Sequence, residues 1–182
     1  MPDVLILIDQ HRAKEHPKWG PRNNRDAERN ISRLLAAWRD RGRPIFHVRH
    51  DSSYPDSPFR PGQDGNDFSP LTAPLPEEAV IAKRVTSAFI GTDLEARLQA
   101  LGKPPLVICG WLLANSVEAT VRVGANLGYK IRLPADACWS CDKRDLTGRL
   151  WPAEDVHQLT LALLHGEYAT VTTTDALLGE RS

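Results

Sequence analysis

The 182-residue chain is poor in sulfur and has no charge bias. It holds three cysteines and one methionine, and its 23 lysines and arginines are matched by 23 aspartates and glutamates. Three cysteines are an odd number and too few for a disulfide scaffold. A net charge of zero gives no bulk field to gather nucleic acid or an anionic membrane surface. No apolar run approaches the roughly 18 residues of a membrane span. The start, MPDVLILID, enters an apolar run with neither a basic leader nor a small-residue cleavage site. The expectation is a cytoplasmic protein with no nucleic-acid or membrane partner. The length suits one domain, 1–182, with a sizeable core, and no internal repeat divides it.

What is present is an alternation. Short apolar runs rich in β-branched residues occur at 4–8, 44–48, 79–82, 105–110, 129–133 and 169–173, bounded by glycine or proline. Amphipathic stretches lie between most of them. NNRDAERNISRLLAAWRDRG opens on asparagine and acidic residues and stops at Gly42, and GTDLEARLQALG and NSVEATVRVGANLG each end on glycine. PAEDVHQLTLALLHG carries Pro152 near its first turn. Strands separated by helices imply right-handed crossovers, hence an α/β fold: a three-layer αβα sandwich around a six-stranded, mostly parallel, Rossmann-like sheet. Residues 51–77 interrupt the alternation with proline, glycine and almost no periodicity. Loops of that length inside a compact domain are usually functional, so a lid or a subunit-contact arm over the active edge is expected.

Three polar residues stand at the downstream ends of apolar runs. Asp9 ends VLILID, Lys83 ends VIAK, and Ser116 lies in GWLLANSVEATVR where an apolar run becomes a helical pattern. In a parallel sheet those ends share one edge, the edge at which such folds bind ligands. A simpler role for each exists: Asp9 as a loop cap, Lys83 as a solvated amine, Ser116 as a helix N-cap. Cys138 and Cys141 spell C-x-x-C, but no second ligand pair and no thioredoxin-like context accompany them, so two reduced thiols are expected.

The runs AKRVTSAFIGTDLEARLQALG, LVICGWLLANSVEATVRVGANLGYKIRLPADAC and GEYATV, with VLILID, WGPRNN and TTTDALL, resemble the isochorismatase-like cysteine hydrolase superfamily along nearly the whole chain. Its members include nicotinamidases, N-carbamoylsarcosine amidases and isochorismatases. The resemblance implies a six-stranded sheet between helices, assembly into homodimers or larger homo-oligomers, and a small-molecule substrate. In amide-cleaving members the catalytic groups are Asp, Lys and Cys, which map onto Asp9, Lys83 and position 116. A cis peptide before the nucleophile maps onto Trp111 and Leu112.

The chain departs from that pattern at its centre, because position 116 is serine. A hydroxyl is much harder to ionise than a thiol. Leu113 and Ala114 replace the usual Thr and Asn, which argues for a naturally altered site rather than one engineered exchange. Three readings follow. Ser116 is a nucleophile for a small amide or ester, assisted by Lys83; or Asp9 acts as an acid in isochorismatase-type vinyl-ether cleavage without a covalent intermediate; or the protein binds a small molecule without turnover. Expected substrate contacts are His11, Trp19, His50, Phe89, Trp111, Leu112 and Asn115. Phe59 and Trp139 are further candidates for an apolar wall, and Arg49 and Asp51 for lining beside His50. Arg22 and Arg60 would suit an anionic or planar polar substrate. His157 and His165 are expected to pack on the last helix. No metal and no cofactor are expected: the family's metal-binding members carry a further histidine where residues 51–77 have none.

Overall fold

The computed structural model describes residues 2–179. Strand β1 (Val4–Ile8) is buried at every position, as a central strand covered on both faces requires. Helix α1 (Ala27–Asp40) buries Ala27, Ile31, Leu34, Leu35 and Trp38, a single stripe at helical spacing, and Trp38 donates its indole N–H to the Asp3 carbonyl at 3.0 Å. The chain reverses at Gly42, whose φ of 59° is the left-handed conformation of a helix terminus. Strand β2 (Ile45–His50) follows, then the long segment that leads to β3 (Ala79–Lys83).

The second half repeats the strand–helix step with shorter links. Helix α2 (Leu94–Ala100) precedes β4 (Leu106–Gly110), a π-type turn at Leu113–Val117 leads into α3 (Glu118–Asn126), and β5 (Ile131–Pro134) returns to the sheet. A small antiparallel hairpin of β6 (Lys143–Arg144) and β7 (Leu150–Trp151) precedes α4 (Ala153–Leu164), β8 (Thr170–Thr172) and α5 (Thr174–Gly179). The six-stranded sheet runs β3-β2-β1-β4-β5-β8, and every neighbouring pair in it is parallel. Helices α1 and α5 pack together, as do α3 and α4. Right-handed crossovers put those pairs on opposite faces, which completes the three layers.

Strand order reverses at β1, whose neighbours β2 and β4 are reached by connections running in opposite senses. A crevice beyond the carboxyl ends at such a switch point is the usual ligand site of an open α/β sheet. Gly110 permits the close approach there: at φ 127° a Cβ on it would lie 2.3 Å from the Ile8 carbonyl oxygen.

The segment 51–77 is tied down by its own polar groups. The Asn66 side-chain amide donates to the carbonyls of His50 at 3.1 Å and Phe59 at 2.9 Å, and the Ser69 N–H donates to the Gln10 carbonyl at 2.9 Å. Its last turns are clamped by Glu78, which accepts from Arg39, His47 and the Leu75 N–H.

Candidate active site

Asp9 is the first residue beyond β1, and its φ of 52° turns the carboxylate out of the strand direction. That left-handed conformation is uncommon for a residue with a Cβ, though aspartate tolerates it better than most. Lys83 ends β3, two strands away, in register with His50 on β2. Only a long side chain spans β2 to reach Asp9. The amine is fully buried and donates to Asp9 Oδ2 at 2.8 Å. It also donates to Ser116 Oγ at 3.3 Å and lies 3.4 Å from His50 Nδ1. Ser116 sits in the turn between β4 and α3, and its carbonyl accepts from the Thr120 hydroxyl at 2.7 Å.

One valence in this cluster is open. Asp9 Oδ1 is buried and has no hydrogen-bond partner among the described residues, although a buried unpaired carboxylate oxygen is costly. It belongs to a residue that lines a cavity of about 460 Å³ together with Ser116 and His50. Burial and the neighbouring Lys83 charge hold the His50 imidazole below its ordinary value of 6.5, so the ring is neutral near pH 7. Trp19, Phe59 and Trp111 form an aromatic wall, with Trp19 and Trp111 edge to face at 4.9 Å and Phe59 and Trp111 at 5.6 Å. Leu112 and Asn115 complete the side nearest Ser116, and the peptide bond between Trp111 and Leu112 is cis.

The structure brings Asp9, Lys83, Ser116, Trp19, His50, Trp111, Leu112 and Asn115 to this one cleft, and it corrects other expectations. Phe89 is not at the cavity: its ring packs against Tyr129 at 5.7 Å and over Gly124, because the segment after β3 turns towards α3 before α2 begins. His11 is fully buried beneath the site rather than facing a substrate. Its Nε2 accepts from the His50 N–H at 2.9 Å, which leaves Nδ1 to donate to the Asn66 carbonyl at 2.8 Å and fixes a neutral ring. Burial lowers its pKa.

Trp139 is sealed in the core beneath the Arg22 guanidinium, 4.1 Å from its ring, and Arg22 is paired with Glu28. Arg60 is exposed outside the cavity, and Arg49 pairs with Asp51 away from it. His157 is buried on α4, whereas His165 is exposed just beyond it and accepts from the Val171 N–H. Cys109, Cys138 and Cys141 are free thiols, and burial pushes Cys138 up to about 12. Among the described residues no group of three His, Cys, Asp or Glu side chains is placed to hold a metal ion, and no helix is long and apolar enough to cross a membrane.

Residues 51–77 do reach the cleft: Ser52, Tyr54, Ser57 and Phe59 line it. Of these only Phe59 was expected. Arg84, Val85, Thr86 and Lys143 also line it and were missed. Arg84 to Thr86 were signalled by adjacency to Lys83, but Lys143 lies on a hairpin whose two-residue strands carry no readable periodicity.

Comparison with known proteins agrees with this layout. Residues 3–176 match the isochorismatase domain. The chain belongs to the isochorismatase family. An uncharacterized family protein of Bacillus subtilis, YrdC, is 38% identical over 177 residues, 97% of this chain and 95% of its own length. The crystal structure of an isochorismatase-family protein from Chromobacterium violaceum superposes with a TM-score of 0.94 at 49% identity, covering 97% of this chain and 91% of that one. A streptothricin hydrolase of Streptomyces noursei is 35% identical over 104 residues, which is 57% of this chain and 37% of that enzyme. The isochorismatase family is hydrolytic, and the six-stranded parallel sheet between helices is its fold.

Proposed function

We propose that the protein hydrolyses a small amide or ester, with Asp9, Lys83 and Ser116 as its catalytic groups. The observation that carries the reading is the unpaired Oδ1 of Asp9, a buried proton acceptor on a residue that faces the same cavity as the Ser116 hydroxyl. Lys83 Nζ is the donor in its 2.8 Å contact with Asp9 Oδ2. It is therefore not the base, and proton removal falls to Asp9. Lys83 Nζ also donates to Ser116 Oγ, which favours the alkoxide-like charge that develops as the proton leaves.

The steps balance as follows. Ser116 Oγ attacks the carbonyl carbon while its proton passes to Asp9 Oδ1, and the carbonyl oxygen becomes an oxyanion. Backbone N–H groups of the turn between β4 and α3, around Ser116, would receive it. The intermediate collapses, the C–N or C–O bond breaks, and Asp9 returns the proton to the departing group. Water, deprotonated by Asp9, then releases the acid and restores Ser116. A serine needs more help from its base than a cysteine would, so the turnover of Ser116→Cys measures how far the machinery is tuned to the hydroxyl.

The test is a panel of small amides and aryl esters offered to the native chain, Ser116→Cys, Ser116→Ala and Asp9→Asn. Turnover by the native chain that is lost in both Ser116→Ala and Asp9→Asn is the expected result. Undiminished turnover in Ser116→Ala would transfer the chemistry to an acid-assisted route through Asp9, and no turnover by either native chain or Ser116→Cys would remove the catalytic reading.

A further inference from the structure

We propose that the cleft selects a planar substrate carrying a carboxylate or comparable anionic group, received at the mouth by Arg84 and Lys143. The inference rests on the cleft being the substrate site and adds the charge of what it takes. Arg84 and Lys143 line the cavity from separate elements, the end of β3 and the β6–β7 hairpin, and both are exposed. Neither takes part in an ion pair among the described residues.

The carboxylate that lines the same cavity is Asp9, and the Lys83 amine already offsets it at 2.8 Å. Of the acids adjacent in sequence to lining residues, Asp51 is paired with Arg49, Asp142 accepts from the Ala153 N–H, and Asp56 is exposed and does not line the cavity. His50 is held neutral. Two cations thus line the cavity with no ion pair among the described residues. Exposed arginines without an ion pair among the described residues occur elsewhere, Arg25 and Arg60 included, and what distinguishes Arg84 and Lys143 is that they line the cavity. The inner wall supplies Trp19, Phe59 and Trp111 within 6 Å of one another, faces against which a flat conjugated body stacks. A planar body against the aromatic wall with an anionic group towards the rim would leave its scissile carbonyl near Ser116.

A ligand pair without a scissile bond separates this inference from the hydrolase reading: 4-methylbenzoate and its neutral counterpart, 4-methylbenzyl alcohol, titrated by quenching of tryptophan fluorescence at low ionic strength. The carboxylate is expected to bind roughly five- to twentyfold tighter, each exposed cation contributing about two- to fivefold. Arg84→Gln and Lys143→Gln should each remove their share, the double variant should abolish the preference, and added salt should shrink it in the native chain. Unchanged thermal midpoints in the variants would show that folding is intact. Equal affinity for the two ligands, a preference that survives in the double variant, or no saturable binding of either ligand would overturn the inference. A carboxylate preference that holds while no amide or ester is turned over would keep the inference and remove the hydrolase reading.

Discussion

Asp9 and Glu78 are both carboxylates drawn almost wholly out of water and bonded to a cation, yet they differ in what is left over. Glu78 accepts from Arg39 Nε at 2.7 Å and Nη2 at 2.9 Å, from His47 Nε2 at 2.8 Å and from the Leu75 N–H at 2.9 Å. Burial alone would raise its pKa, but these donors outweigh it and hold the group down to about 2. Asp9 has one donor, Lys83, and an oxygen with none. A saturated carboxylate fastens one segment to another, here the turn at 70–78 to α1 and β2. A half-satisfied one beside a cavity retains the capacity to take a proton. The comparison teaches that two carboxylates, each bonded to a cation, can differ in how many of their lone pairs are occupied, and the proposed role of Asp9 rests on that difference.

Exchanging the carboxylates should break that parallel unequally. Asp9→Asn removes the proton acceptor and should lower kcat/KM by about 100-fold or more while the unfolding transition stays cooperative; a loss under tenfold would show that the open oxygen is not the base. Lys83→Met strips Asp9 of its counter-charge and should cost about 3–5 kcal/mol in urea denaturation, because the remaining carboxylate is buried. A variant as stable as the native chain would mean that water already solvates Asp9. Glu78→Gln should cost about 1–3 kcal/mol by the same assay, with kcat/KM for a small ester held within about threefold. An activity loss as large as that of Asp9→Asn would erase the distinction between the two groups.

The smallest effect is a pH dependence of stability whose sign follows from the groups involved. Burial lowers His11, His47 and His50 below the ordinary 6.5 in the folded chain. Below about pH 6.5 the unfolded state therefore binds more protons, and stability falls as pH falls. Glu78 sits near 2 against an ordinary 4.5, so its contribution is complete above pH 4.5 and drains away between there and about 2. Thermal midpoints should decline from about pH 6.5 and more steeply below 4.5, and Glu78→Gln should flatten the lower descent while lowering His47 further and so deepening the upper one. A midpoint that rises on acidification would contradict both assignments.

Much of the sheet was legible because its signal is local. VLILI at 4–8 has its exact strand bounds, and the other five runs shift by one or two residues at their ends, since hydrophobic run and strand coincide wherever both faces are covered. The hairpin β6–β7 and the six-residue α5 were not legible, being too short to show a period. At the cleft, Asp9, Lys83 and Ser116 share an edge because parallel strands do. Phe89 was misplaced because sequence proximity to Lys83 cannot reveal that the chain turns towards Gly124. His11 was misread because its partners, Asn66 and His50, lie 55 and 39 residues away. Residues 51–77 supplied the least local signal, and the polar ties through Asn66 that fold them onto the cleft follow no periodicity.

The claim that Asp9 serves Ser116 in forming a bond to substrate is tested most directly by intact-protein mass spectrometry after brief exposure to a slow aryl ester. One acyl group per chain, mapped to the peptide containing Ser116 and absent from both Ser116→Ala and Asp9→Asn, is the expected result. An unmodified native chain that still consumes the ester at the rate shown by Ser116→Ala would contradict it.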